Sequence, residues 1–315
     1  MKTVLDDIIE RVRADLPGWK RRMTIQDFES EEGFEKPVRS LFGALRRDVG
    51  SDDGPRGEVR SDHGSHRDML QGDVRSDGML QQDAMGVAVI AEVKKGSPSK
   101  GVFRPDRPFE PVEIAKQYVE GGASAISVLT NEPFFFGSMD HLRAISRFAS
   151  VPLLRKDFLI DPWQIAEARA FGADAVLLIE SVLSPAQRNE LMDAAAEMGV
   201  EVLLECYHEA EWSGLDWERV RIAGVNNRDL RTFDVDLHRG LRLLETAPEG
   251  VVRVSESGLS SAEDLLELHR SGVHAALIGE QFVRQDRPGE ALSAILGQFQ
   301  GLVDAGLKER FDDIK

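Results

Sequence analysis

The strongest constraint on what this chain can fold into is a repeating grammar. Short apolar runs, each ending in polar or charged side chains, alternate with helix-length amphipathic stretches. Eight such runs occur, at 87–94, 125–130, 152–157, 175–180, 200–205, 221–226, 251–255 and 275–279, and the pattern predicts helices near 111–121, 138–149, 161–171, 184–198, 208–214, 236–247, 261–271 and 289–304. Near-continuous apolar strands separated by helices imply a parallel sheet buried on both faces. Eight such repeats close an α/β fold into a (β/α)8 or TIM barrel of ~250 residues. An open doubly wound sheet would want a glycine-rich phosphate turn after its first strand, and Lys95-Gly-Ser-Pro-Ser lacks the G-x-G-x-x-G pattern.

The first strand shows where the chemistry belongs. Its apolar run from Val87 to Ile90 ends in Glu92 and Lys94, charges that a buried strand normally excludes. Alternation projects both from one face, just before a Gly/Ser/Pro loop. In barrels of this kind all strand C-termini open on one face. Glu92 and Lys94, Lys156, Glu205, Asn226 with Arg228, and Ser257 therefore converge on one mouth, with Asp157 and Glu180 as further candidates. Carboxylates and ammoniums in one dry cleft tune each other's pKa values and divide acid and base roles. Glycines directly follow the seventh and eighth strands, in Val254-Ser-Glu-Ser-Gly-Leu259 and Leu277-Ile-Gly-Glu280. There such barrels bind phosphate through backbone N–H groups and a helix N-terminus, so a small phosphorylated ligand is expected.

The formal charge of −16 disfavours nucleic acid as a partner, because phosphate neutralisation needs clustered Lys and Arg. An anionic ligand must instead meet a local positive site. Only ten of the 39 basic residues are Lys, yet Lys94, Lys95 and Lys100 fall within seven positions and Lys156 ends another strand. Cys206 is the only cysteine, so no intrachain disulfide forms and an oxidising compartment is not indicated. No run approaches the roughly 18 apolar residues of a membrane span, and no apolar leader follows Met1-Lys2. A cytoplasmic protein without membrane contact is the expectation.

Four regions are expected. Residues 1–49 form an N-terminal helical extension, with an amphipathic helix over 3–15 and a second over 37–47 starting at Pro37; these helices cap the barrel floor or flank its mouth. Residues 50–84 form a low-complexity insertion rich in Gly, Ser, Asp and Arg, carrying an imperfect duplication of Val59-Arg-Ser-Asp62 as Val74-Arg-Ser-Asp77. It has too little apolar surface to offset chain ordering, so it is expected to be mobile, and His63 and His66 within it read as solvated side chains, not metal ligands. Residues 85–305 form the catalytic barrel and 306–315 a C-terminal tail.

Taken together, Glu92-Val-Lys94-Lys-Gly-Ser97-Pro-Ser-Lys-Gly101, Leu154-Arg-Lys156-Asp-Phe158, Leu204-Glu205, Gly224-Val-Asn226-Asn-Arg228-Asp-Leu, Ser255-Glu256-Ser257-Gly258 and Leu277-Ile-Gly279 resemble the indole-3-glycerol-phosphate synthase family. The resemblance is loose over residues 1–48 and close over 86–299, and Leu129-Thr-Asn-Glu-Pro-Phe-Phe-Phe-Gly-Ser138 matches the family's second-strand loop. It implies closure of 1-(2-carboxyphenylamino)-1-deoxyribulose 5-phosphate to indole-3-glycerol phosphate with loss of CO2 and water, a step of tryptophan biosynthesis. Association with other enzymes of that pathway is an expectation of the same kind. The resemblance further implies Lys156 as general acid, Lys94 at the substrate carboxylate, and Glu92, Glu205 and Lys94 as rivals for the dehydration step. Substrate-binding roles fall to Ser97, Phe135, Phe158, Asn226, Arg228, Glu256 and Ser257, with Phe135 and Phe158 stacking the anthranilate ring. The phosphate site is implied at Gly258, Gly279 and Glu280, with Lys94 near. Neither metal nor organic cofactor is implied, since every step is proton transfer on a substrate carrying its own electron sink.

Two departures stand out: the 50–84 insertion, and Glu280 where some members carry a Ser hydroxyl, so that its carboxylate is expected to point away from phosphate. A barrel of the phosphoribosylanthranilate isomerase type would share the phosphate end but needs a Cys/Asp pair, and alternation puts Cys206 on the wrong face. A non-catalytic scaffold barrel would not need the Lys and Glu set.

The composition of the insertion yields a first prediction. Replacing residues 51–83 by a short Gly/Ser linker should leave turnover intact and change unfolding free energy by no more than about 2 kcal/mol, because loop closure costs grow slowly with length. Denaturant titration and steady-state kinetics check this; collapse of folding or loss of activity would show the segment to be structural or regulatory.

Overall fold

The computed structural model describes residues 2–46, 86–229, 232 and 234–313. The expected insertion at 50–84, with His63 and His66, lies outside them. Eight parallel strands close a barrel in sequence order: β1 (Ala88–Val93), β2 (Ala125–Leu129), β3 (Leu153–Lys156), β4 (Ala175–Ile179), β5 (Glu201–Cys206), β6 (Ile222–Asn226), β7 (Val252–Glu256) and β8 (Ala275–Ile278). Closure is direct, since β1 pairs with β8 through Ala88 opposite Ala275 and with β2 through Ile90 opposite Ala125.

Period-two alternation divides the apolar side chains into two cores. Ile90, Leu154, Leu177, Leu203, Ile222, Val254 and Leu277 fill the barrel interior. Their outward neighbours, such as Val89, Val128, Leu178, Leu204 and Val225, pack under the helical shell. Continuous apolar runs in the sequence are this double burial made visible. The last helix, Pro288–Asp313, runs well past the expected end at 304. Phe299 is buried and Leu302 and Val303 pack on the outer core, which anchors the helix through Gly301 despite its low propensity.

The N-terminal extension serves both barrel ends. Helix α1 (Val4–Arg22) starts at a capping box between Thr3 and Asp6 and continues beyond the expected 3–15. Its Leu5 and Ile9 face Ser181 and Val182, just after β4, and Lys20 pairs with Asp161 after β3 at 2.9 Å, so α1 lies on the mouth side. A short helix α2 (Ile25–Glu29), which the sequence did not suggest, buries Phe28 against Trp163 at 5.1 Å between ring centroids. Helix α3 (Leu41–Leu45) plugs the floor: Ser40 and the Phe42 backbone N–H donate to Glu201 at the start of β5. It does not begin at Pro37 as expected. The Arg39 N–H is committed to Asp174, which leaves Ser40 as the N-cap, accepting from Gly43 N–H.

Asp174 is the anchor of that floor. Only 2% exposed, it accepts from the Arg39 N–H at 2.8 Å, Arg39 Nε at 2.9 Å and the Leu153 N–H at 2.8 Å. Asp174→Ala should therefore cost roughly 3 kcal/mol, as for a broken buried ion pair, and lower the thermal midpoint by roughly 6 °C or more, with kcat near wild type because the mouth is at the other end. A midpoint within about 2 °C of wild type would show that the N-terminal segment is held elsewhere.

Candidate active site

The inward register of the interior core, carried to the strand ends, delivers the polar groups. In β6 and β7 Asn226 stands opposite Glu256, in β2 and β3 Leu129 opposite Lys156, and in β4 and β5 Ile179 opposite Glu205. These residues, with Glu92 and Lys94, line a cavity of about 350 Å³ at the mouth. Ser97, Phe135, Phe158, Arg228, Ser257, Gly258, Gly279 and Glu280 line the same cavity, so the residues that the family resemblance implies for the site are brought to one place.

At its centre Lys156 Nζ donates to Glu205 Oε2 at 3.0 Å and to Glu256 Oε2 at 2.8 Å. Both carboxylates are almost fully buried. Burial alone would lower the lysine pKa, but attraction by Glu205, Glu256 and Glu92 outweighs it and leaves the pKa above the usual lysine range. The converse holds at Glu256, where burial raises the carboxyl pKa, Lys156 opposes and repulsion from Glu205 adds, with the balance upward. A buried carboxylate cluster sharing one ammonium favours retaining a proton on one member. Glu256 fits because Gly224 faces it: a Cβ there would sit 2.5 Å from Glu256 Oε1. That same oxygen has no hydrogen-bond partner among the described residues. The sequence singled out Glu256 only as substrate-binding, and its contact with Lys156 was legible only through the shared inward register of β3 and β7.

Around this centre Glu92 pairs with Lys94 at 2.5 Å, and Asn226 donates to Glu205 at 3.4 Å while its Oδ1 accepts the Arg228 N–H at 3.0 Å. Phe135 and Phe158 form an aromatic wall, ring centroids 6.0 Å apart. A two-residue ladder, Gly96–Ser97 against Gly101–Val102, shapes the loop after β1.

At the opposite end Ser257 and Gly258 both take left-handed backbone angles, φ 69° and 77°, uncommon for a non-glycine residue such as Ser257. Glu280, expected to turn away from this end, lines the cavity with its charge countered by Lys100 at 2.6 Å and Arg284 at 3.0 Å. Arg284 was not singled out from the sequence, although its i,i+4 spacing from Glu280 is a signal of pairing, whereas Lys100 belongs to the lysine cluster after the first strand. Both Gly258 and Gly279 are closely packed against neighbouring side chains. A Cβ at Gly279 meets Glu92 Oε1 at 2.5 Å, and one at Gly258 meets Val235.

Two further expectations change. Glu180 turns outward into a 3-10 turn, Glu180–Val182, and pairs with Arg188 at 2.7 Å, outside the cavity lining. Asp157 borders the cavity, but Thr130, Asn131, Arg155 and the Phe158 N–H all donate to its carboxylate. Cys206 is buried in the outer core, where burial pushes its thiol pKa up.

A family profile described as indole-3-glycerol phosphate synthase matches residues 66–295. An indole-3-glycerol phosphate synthase of Salinibacter ruber is 54% identical over 211 residues, covering 67% of this chain and 77% of the relative. One of Acetivibrio thermocellus is 39% identical over 284 residues, covering 89% and 94%. Among solved structures, a mutant tryptophan synthase alpha-subunit from Pyrococcus furiosus superposes with a TM-score of 0.51 at 15% identity over 68% of this chain and 98% of that one, a likeness of fold alone. With the barrel and its charged mouth in place, the sequence match settles membership: the chain belongs to the indole-3-glycerol phosphate synthase family.

Proposed function

We propose that the cavity carries out the family's reaction with Lys156 as the proton donor for ring closure. The reaction is that of indole-3-glycerol phosphate synthase, in which 1-(2-carboxyphenylamino)-1-deoxyribulose 5-phosphate loses CO2 and water. The observation that carries the assignment of roles is the Lys156–Glu205–Glu256 triad at 3.0 and 2.8 Å inside a cavity that also holds an aromatic wall.

In ring closure the carboxylate-bearing aromatic carbon attacks the ketone carbon, and the oxygen becomes alkoxide-like as the C–C bond forms. An ammonium with a raised pKa suffices as donor to so basic an oxygen, and a desolvated site strengthens the interaction. Lys94 holds the substrate carboxylate until the C–C bond to CO2 breaks and its electron pair restores the aromatic ring. In dehydration the hydroxyl leaves with a proton and a base removes one from the ring nitrogen side; Glu92 and Glu205 are the candidates. Phe135 and Phe158 hold the anthranilate ring, and Ser97, Asn226, Arg228 and Ser257 contact its carboxylate or the chain hydroxyls. Backbone N–H groups at Gly258, Gly279 and Glu280 take the phosphate, with Lys100 and Arg284 adding positive charge beside Glu280. A small phosphorylated substrate and a cytoplasmic setting complete the proposal. Association with other enzymes of the pathway belongs to it as well. Among the described residues no helix is long and apolar enough to cross a membrane. Mixing the protein with the carboxyphenylamino ribulose phosphate and following the growth of indole fluorescence tests the reaction; no signal at substrate saturation would reject it.

Lys156→Ala should slow turnover by about 10²–10⁴-fold while product-analogue binding survives. More than about a tenth of wild-type turnover, with chemistry rate-limiting, would remove Lys156 from the donor role.

The pH profile tests Glu256. Its carboxyl is pushed up to about 8, so below that pH it is neutral and Lys156 faces one fewer negative charge. As Glu256 ionises, Lys156 holds its proton more tightly and donates less readily, so kcat/KM should fall above about pH 8. Glu256→Gln, neutral throughout, should abolish that alkaline limb even if its plateau is lower. Persistence of the same limb in the variant would assign it to another group.

A further inference from the structure

We propose that Asp157 is a positioning residue that fixes the spacing of the aromatic wall by tying the loop after β2 to the loop after β3. The inference rests on the ring-closing function above and adds to it what holds the ring-binding surface in register.

Asp157 follows Lys156 directly, but its side chain takes the outward register and is only 8% exposed. Its Oδ2 accepts from Thr130 Oγ1 at 2.6 Å and Arg155 Nη2 at 3.3 Å, and its Oδ1 from Asn131 Nδ2 at 3.1 Å and the Phe158 N–H at 2.9 Å. Four donors fill the roughly four acceptor positions of a carboxylate, so it is spoken for as a scaffold and ill-suited to shuttle a proton. The donors come from both loops. Asn131 is the N-cap of the short helix Glu132–Phe135, its Oδ1 accepting from the Phe134 N–H at 3.2 Å, so a pull on Asn131 moves the helix that carries Phe135. The Phe158 N–H fixes the second ring from its own backbone.

The Thr130 hydroxyl gives this tie a direction. It accepts from Arg155 Nε at 3.2 Å and donates to Asp157, while Arg155 is held in turn by Glu167 at 2.9 Å and the Gln164 carbonyl at 2.8 Å. The network is buried and internally satisfied, the condition under which polar clusters specify a single arrangement. Two rings whose centroids lie 6.0 Å apart thus share one carboxylate as their common reference.

Asp157→Asn keeps the volume but replaces one acceptor oxygen by a donor. Either amide orientation faces two N–H or O–H donors, because each oxygen of the native carboxylate has two. Wild-type turnover of the carboxyphenylamino ribulose phosphate is measured first, and its absence would reject the function itself. Given turnover, affinity for the reduced substrate analogue, in which the ketone is an alcohol, should fall about tenfold in Asp157→Asn, a loss of aligned ring contacts. Inhibition by inorganic phosphate, which reads the far end, should stay within about twofold. Thr130→Val should reproduce the selective loss and Thr130→Ser should restore it, which keeps the test decisive if Asp157→Asn fails to fold. Unchanged analogue affinity, parallel loss of analogue and phosphate binding, or failure of Ser to rescue would each overturn the proposal.

Discussion

One buried ammonium organises this mouth. Removing Lys156 from water is costly, and only close, well-oriented carboxylates offset that cost; Glu205 and Glu256 supply them at 3.0 and 2.8 Å. The strands must therefore end in the register that turns all three side chains inward. Position 224 must lack a side chain for Glu256 to fit, and Asn226 is placed to donate to the carboxylate that Lys156 does not saturate. Two buried carboxylates that repel each other across one lysine, with burial added, favour the neutral form of one of them, so an upward-shifted Glu256 is a consequence of the packing.

The cavity is polarised along its length. Rings at one end form an apolar slot, the charged triad sits at the centre, and left-handed backbone at Ser257 and Gly258 lies with Lys100 and Arg284 at the other end. A chain of formal charge −16 meets an anionic substrate by concentrating a few cations where they are needed, which leaves the rest of the surface free to stay acidic. Glu280 offsets that local excess by pairing with Lys100 and Arg284.

The fold was legible because buried parallel strands leave continuous apolar runs, and those runs mark all eight strands in order. The triad was half legible: Lys156 and Glu205 announce themselves as charges ending apolar runs, whereas Glu256 lies in a Ser-Glu-Ser-Gly segment that reads first as a turn. Glu180 is the reverse case, a charge that ends an apolar run like the others and yet is turned outward to Arg188 by the chain. Arg284 meets Glu280 one helical turn away, but nothing in that spacing places the pair at the mouth, and the Thr130 and Asn131 donors to Asp157 come from a different segment, of which periodicity along one chain carries no trace. Helix α2 is too short for its spacing to be read, and Phe28 is fixed there by Trp163 from 135 positions away.

The placement of residues 2–46 gives the barrel an unusual dependence on its N-terminal segment. The chain crosses from the mouth, where Leu5 and Ile9 meet Ser181 and Val182, to the floor, where Ser40 and Phe42 engage Glu201. Midway, Arg169 of the shell donates to the Gly33 and Lys36 carbonyls. One covalent strap thus borders the mouth and covers the floor of a closed cylinder. Shortening the chain from its start would uncover apolar surface at the two ends of the barrel in turn, so tolerance to N-terminal trimming should fall in two separate steps, the mouth contact first and the floor plug second.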